Sequence, residues 1–350
     1  MILKMPVYYK SFRCIADKCK DNCCVGWEID IDHSTAEYYD SVGGEFGERL
    51  KENIQKGEVC AFKLNGERCP FLNEKNLCDI IINLGEDKLC QICDDHPRYY
   101  EWFSEVKEGG IGLCCEEAAR IIVTYEEKFS TYDISCDDEG CDDYNEALYD
   151  VLVFARQEII DTLENEALSL KCRIASVLSY ISELQFMIDN YEFDKVPINV
   201  QDPADEGESD IKGFLESFKA LEPIDENWQE YLQKLTDDMS ASDRRVNIDK
   251  STESYLQNIA IYYIWRYFLK GVYDEEILSK AFFMALSVAV IKLMYERELI
   301  KGESLDGEKC SHLAKNYSKE TEYSEENLEM LYNMVYENPA FSMDNILSIL

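Results

Sequence analysis

The chain has 350 residues, 46% of them hydrophobic and 12% aromatic, enough to bury a sizeable core and to expect two domains. Its 35 basic and 71 acidic residues give a net charge of −36, which repels phosphate backbones and anionic headgroups, so neither a nucleic acid nor a membrane is expected as a partner. The opening MILKMPVYYKSFRC lacks the apolar run and cleavage site of a secretory signal, and the longest apolar run, Ala281 to Ile291, is too short to span a bilayer; a cytoplasmic protein is expected.

Residues 1–142 read as a loop-rich, cysteine-cluster metal-binding unit, with short apolar runs such as Ile80 to Leu84 and turns at Gly43-Gly44 and Gly109-Gly110. Thirteen of the fifteen cysteines fall in the first 141 residues. Most stand in short groups: Cys14, Cys19, Cys23 and Cys24; Cys69 and Cys78; Cys90 and Cys93; Cys114 and Cys115. In a reducing compartment such clusters read as metal ligands or catalytic thiols before they read as disulfides. Only Cys90 and Cys93 have the spacing of a zinc knuckle. The remaining spacings suit loops wrapped around a larger inorganic core, which favours iron–sulfur over zinc. Neighbouring side chains in extended backbone point to opposite sides, so one thiol of each adjacent pair is expected to be spare. Cys60, Cys136 and Cys141 stand apart and read as non-ligands, with Cys136-x4-Cys141 a weak reserve.

Residues 143–350 read as an all-helical domain. Leu148, Val151, Leu152, Ala155, Ile159 and Leu163 recur at helical spacing, and so do Ile174, Val177, Leu178, Ile181 and Ile188. The Pro- and acid-rich stretch at about 191–210 reads as a loop. Further helices are expected at about Lys212–Leu221, Asn227–Met239 and Thr252–Lys270, the last stopped by Gly271. Asp274–Leu299, apolar nearly all round, belongs at the centre, and shorter helices follow near Ser304–Tyr317 and Ser324–Tyr336. Cys172 and Cys310 fall on these helices as ordinary buried thiols.

Five segments carry a resemblance: Phe12 to Asp32 (FRCIADKCKDNCCVGWEIDID), Cys69 to Leu72 (CPFL), Leu77 to Ile80 (LCDI), Cys93 to Arg98 (CDDHPR) and Leu113 to Ile122 (LCCEEAARII). In this order they resemble the flagellin lysine-N-methylases, whose cysteine cluster is related to that of the zinc- or iron-chelating cysteine-cluster proteins. The likeness is concentrated in residues 6–123. It implies methyl transfer from S-adenosylmethionine to lysines of flagellin by a protein holding a 4Fe-4S cluster. The family's cysteines fall at Cys14, Cys19, Cys23, Cys69, Cys78, Cys93 and Cys115, with Cys24 in the adjacent pair. His96, Cys114 and Glu116 depart from the family pattern, and Cys90 is additional.

Methylating a lysine requires a neutral amine, although an unperturbed lysine titrates near ~10.4, so a carboxylate or tyrosine must take the proton. Asp94 and Asp95, with the aromatic faces of Tyr99, Tyr100 and Trp102, are candidates, and ordinary structural roles are the simpler reading. Arg98 and Arg120 follow cysteine groups and could clamp the cofactor's carboxylate, against the plainer reading of local salt bridges. His96 shares a loop with Cys90 and Cys93; His33 and His312 have no ligand-type setting. No Gly-rich turn of an open-sheet nucleotide site is present, and the Cys-x3-Cys-x2-Cys pattern of radical S-adenosylmethionine enzymes is missing. The expected active cleft lies between the two parts. The rival reading is a non-enzymatic iron–sulfur or zinc module for metal storage or redox sensing.

Overall fold

Strand β1 (Ile2–Pro6), the start of the chain, lies inside a sheet whose other strands come from about a hundred residues later. In the computed structural model, which describes all residues except 27, 58, 104, 137–143, 201–208 and 242–245, this sheet has the order β5-β6-β1-β7. The three further strands are β5 (Arg98–Phe103), β6 (Val106–Ile111) and β7 (Thr131–Ser135). β1 runs parallel to β6, with Ile2 opposite Val106, and antiparallel to β7. A smaller sheet joins β2 (Asp30–Ile31), β3 (Ile54–Gln55) and β4 (Cys60–Phe62) in the order β2-β4-β3.

Residues 1–142 therefore hold more regular structure than their composition suggests. Gly109 and Gly110, expected as a turn, sit inside β6, where a Cβ on Gly110 would lie 2.4 Å from the Tyr99 hydroxyl oxygen and one on Gly109 would lie 2.8 Å from the Tyr100 ring. Glycine is needed there because two aromatic rings of β5 lie across the neighbouring strand. Helices in this part are short: α1 (His33–Ser41), α2 (Gly44–Asn53), α3 (Asp79–Leu84), α4 (Gln91–Asp95) and α5 (Glu116–Val123).

The rest is helical, and the fold as a whole is mainly α. α6 (Glu146–Leu163), α7 (Leu170–Asp189), α8 (Ile211–Ser217), α9 (Trp228–Ala241) and α10 (Lys250–Tyr267) are followed by the short α11 (Gly271–Asp274). Then come α12 (Leu278–Ile300), α13 (Gly307–Glu322), α14 (Glu325–Glu337) and α15 (Met343–Ile349). Short polar side chains set most of the starts: Asn145, Ser169, Asp249, Asp306 and Ser324 each accept a hydrogen bond from a first-turn amide. Gly271 does not stop a helix; its φ of −56° continues the chain into α11, and the left-handed residue is Glu275. α12 is long and apolar enough to cross a bilayer by composition, but α7, α9, α10, α13 and α14 surround it.

Two cores result. The smaller gathers Ile29, Tyr39, Leu50, Phe62, Phe71 and Ile80, with the buried Cys69 and Cys90. The larger runs from Tyr8 and Phe12 through Phe103, Ile111 and the apolar face of α5 into α6–α15. Full burial of each large apolar side chain, such as Phe283 or Leu286 in α12, contributes roughly 1.5–3 kcal/mol. Arg156 of α6 meets Glu108 of β6 through two hydrogen bonds of 2.6 Å, which ties the sheet to the helices.

Candidate active site beside the thiol groups

The described cysteines are free thiols, and the clustered ones form two groups. In the first, Cys19 and Cys23, on the loop after β1, face Cys115 at the start of α5. Burial pushes the Cys19 thiol up to about 12, and its neighbours Glu116, Cys115 and Cys23 oppose its ionisation further. Burial likewise pushes Cys115 up to about 11, with Cys23 and Cys14 as charged-state neighbours. Cys23 is raised by its interaction with Cys24 and by burial, while His96 acts in the opposite direction. Cys19 Sγ lies 3.2 Å from the Asp21 carbonyl oxygen and 3.6 Å from Glu116 Oε2. The same Glu116 oxygen accepts from the amides of Lys20 (2.8 Å) and Asp21 (3.2 Å) and pins this loop to α5.

The second group belongs to the smaller core. The Cys69 amide donates to the Cys24 carbonyl (2.9 Å), Cys78 pairs with Leu72 and begins α3, and Cys90 begins α4 with Cys93 inside its first turn. Burial raises Cys69 to about 11, and Cys78 and Cys90 add to that. Cys93 is raised by its hydrogen bond with Cys90, by burial, and by the neighbouring Cys24 and Cys69. Cys90 is lowered, the Cys93 thiol being its donor. Among the described residues, no three or more His, Cys, Asp or Glu side chains are arranged to hold a metal ion.

The adjacent pairs straddle these environments. Cys23 neighbours Cys19 and Cys115 and interacts with Cys24, which neighbours Cys93, so this pair links the two groups. Cys115 joins the first group, while Cys114, pushed up to about 12 by burial, has Arg266, Glu322 and Tyr323 around it. Cys60 packs against the smaller core, Cys136 Sγ lies 3.7 Å from the Met1 carbonyl oxygen, and Cys141 falls outside the described residues. Cys310 is buried in α13 and Cys172 half-buried in α7.

Arg98 donates to the Tyr9 hydroxyl (2.7 Å) and the Asp94 carbonyl (2.8 Å), and its guanidinium lies 5.6 Å from the centre of the Phe12 ring. Arg120 spends its fork on Glu117, at 2.8 and 2.7 Å. Tyr100 and Trp102 hold the Lys107 ammonium 4.3 and 4.5 Å from their ring centres, and Tyr99 is half-buried with its hydroxyl inside. His96 lies beside Cys23 and the Tyr323 ring, and exposed His33 faces Glu37.

Composition alone did not reveal a buried polar network behind Cys114. The fully buried Glu322 accepts from Tyr267 (2.6 Å), Tyr262 (2.9 Å) and Ser318 and is paired with Arg266 at 3.0 Å. Tyr262 also accepts from the Leu113 amide at 3.0 Å, which fixes the chain leading into Cys114 and Cys115. This network positions the α5 thiol through the backbone.

A cleft of about 160 Å3 opens between the first thiol loop and the helices. Asp21, set between Cys19 and Cys23, forms one side; Asp225, Asn227, Trp228 and Tyr231 around the start of α9, with Asn316, Lys319 and Glu320 of α13, form the rest. Asp21 is paired with Lys315 and, at 3.7 Å, with Lys319, which holds its carboxyl below the ordinary range against the opposing effect of burial. Glu320 accepts from the amides of Ile224 and Asp225, both at 2.9 Å, yet burial pushes its carboxyl up to about 7. Trp228 and Tyr231 stack at 5.5 Å. The cleft thus combines carboxylates, one of them near neutrality, with aromatic faces, a chemistry that suits an organic cation.

The model of the FliB lysine N-methylase C-terminal domain matches residues 156–349, more than half of the chain and the part that supplies α9 and α13, where the sequence motifs had pointed to the cysteine-rich part. The lysine-N-methylases of Salmonella typhimurium and Salmonella choleraesuis are each 28% identical over 127 residues, 34% of this chain and 31% of the relative. The flagellar biosynthetic protein FliU of Salmonella muenchen is 28% identical over 127 residues, 34% of this chain and 75% of that protein. The match therefore spans about a third of the length of either lysine-N-methylase. No solved structure matches the chain. The helical half that walls the cleft carries the family signature, and the chain belongs to the FliB lysine N-methylase family.

Proposed function

We propose that the protein is an S-adenosylmethionine-dependent protein-lysine N-methyltransferase acting on flagellin, with a 4Fe-4S cluster beside the reacting site. One observation carries the reading: the helices that match the FliB domain and the loop bearing Cys19 and Cys23 form opposite walls of one acidic, aromatic cleft. Four thiols, Cys14, Cys19, Cys23 and Cys115, drawn from the N-terminal loop and the start of α5, are the number and kind of donors that such a cluster takes. Burial keeps Cys19 and Cys115 as neutral thiols in the protein alone, and iron charge would convert them to thiolates. When bound, the cluster would supply an iron able to hold the amino and carboxylate groups of the methyl donor. Glu116 and the Glu322 network hold the two thiol-bearing segments against α5 and α10. A reducing cytoplasm preserves these thiols.

The sequence spacing in the second thiol group supports a second reading. Cys24, Cys69, Cys78, Cys90 and Cys93 lie in or against the smaller core and include the Cys90-x2-Cys93 spacing, which suits zinc in a structural role. Anaerobic purification with iron, sulfide and zinc analysis tests the metals. Incubation with methyl-labelled S-adenosylmethionine and flagellin tests the reaction, and recovery of no labelled lysine under conditions that preserve the cluster refutes it.

A further inference from the structure

Three features set the cleft beside Asp21 apart from an ordinary acidic surface. Glu320 is only 2% exposed, so its carboxylate is part of a built wall. Trp228 is 6% exposed and stacks on Tyr231 in the same wall. Lys315 and Lys319 are both paired with Asp21, which leaves Asp225 and Glu320 as the remaining carboxyl groups of the cleft. A ligand that is positive at one end and apolar behind it would satisfy all three.

The volume decides between the two cations of a methyl-transfer reaction. At about 160 Å3 the cleft is well below the roughly 300–1,000 Å3 of sites that enclose nucleoside-sized ligands, and it accommodates one extended alkylammonium side chain. We propose, building on the methyltransferase reading, that this cleft seats the acceptor lysine, its ammonium between Asp225 and Glu320 and beside the Trp228 ring, and that Glu320 is the base that takes its proton. Arg297 lies 5.1 Å from the centre of the Tyr231 ring and is paired with Asp238, so it closes the far side of the aromatic pair.

The chemistry balances. The ε-ammonium gives one proton to the Glu320 carboxylate, and the freed nitrogen lone pair forms a bond to the sulfonium methyl carbon. The methyl–sulfur bond breaks with its electron pair returning to sulfur, leaving a neutral thioether and a methylated secondary ammonium. A carboxyl near 7 is matched to this task, since it is ionised often enough to accept and acidic enough to release the proton afterwards.

The test uses the full chain and N-acetyl-lysine methylamide as probe, with the norleucine analogue, which lacks the ammonium, as control. Tryptophan emission is expected to respond to the lysine probe alone. Trp228→Phe should abolish the response, and Glu320→Gln and the exposed-rim Asp225→Asn should each weaken it by about tenfold, the effect of losing one charge-assisted hydrogen bond. Thermal melts show whether each variant is folded, and Asp225→Asn keeps the test valid if the buried Glu320 variant is not. Equal probe affinity in wild type and Asp225→Asn, or a response of Trp228 to S-adenosylmethionine in place of the lysine probe, overturns the proposal. If the probe binds as expected while no label reaches flagellin, the lysine seat stands and the methyltransferase reading falls.

Discussion

Replacing Glu108 by alanine should destabilise the whole protein and not only its sheet. The carboxylate is held by Arg156 through two hydrogen bonds of 2.6 Å, and the two side chains are 7% and 6% exposed. The substitution leaves a guanidinium buried over the Trp265 ring, 4.1 Å from its centre, with no counter-charge. Removing one partner of such a pair costs about 3–5 kcal/mol, a large share of the roughly 5–15 kcal/mol that holds a typical domain folded. Replacing both partners, as Glu108→Leu with Arg156→Met, removes the stranded charge, so the double variant should recover most of the loss. Urea denaturation followed by circular dichroism and by tryptophan fluorescence measures both quantities. A single-variant cost below about 1 kcal/mol would refute the reasoning, because it would mean that water reaches the pair. So would a sheet that melts separately from the helices, since the larger core joins them.

Substituting Cys19 or Cys115 with serine should abolish iron–sulfur absorbance, whereas Cys69→Ser and Cys78→Ser should leave it and lower zinc content; loss of both metals from either pair of variants would show one shared centre. Glu320 gives a pH signature with a definite sign. Its folded carboxyl is raised from an ordinary 4.5 to about 7, so the folded state holds the extra proton between these values and stability falls as pH rises across that window. Glu320→Gln should flatten that part of the profile, and identical urea midpoints against pH for both proteins would contradict the assignment. Gly110→Ala should destabilise by about 1–3 kcal/mol through the clash with Tyr99, and an unchanged melting temperature would mean that β5 shifts freely over β6.

Helices were the legible part of this sequence. The apolar positions of α6, α7, α10 and α12 repeat over several turns, and the N-caps of the first three are short polar residues that announce themselves. α13 runs to Glu322, beyond its expected end near Tyr317, because its last turn is buried by Glu320, Thr321 and the Glu322 network, a tertiary effect. The sheet was illegible for a related reason. β1 includes Pro6 and β6 includes two glycines, residues that signal breaks locally and are accommodated here by the end of β1, past its pairing with β6, and by the rings of β5. The thiols were visible as a set, but the rule that adjacent side chains diverge does not describe Cys23 and Cys24, whose thiols interact directly. Their sorting into two groups was not visible, since it depends on which of Cys69, Cys93 and Cys115 the folded chain brings near each. The cleft residues Asp21, Trp228 and Glu320 lie about two hundred and one hundred positions apart, and no local pattern joins them.

The placement of β1 has a consequence for the order of assembly. Both of its neighbours, β6 and β7, are made more than a hundred residues later, so the first strand leaves the ribosome without a partner and waits until most of the N-terminal half has been synthesised. The smaller core, built from residues 29–93, can form in the meantime, and closing the parallel β1–β6 pair across so long a loop belongs among the slow steps of folding.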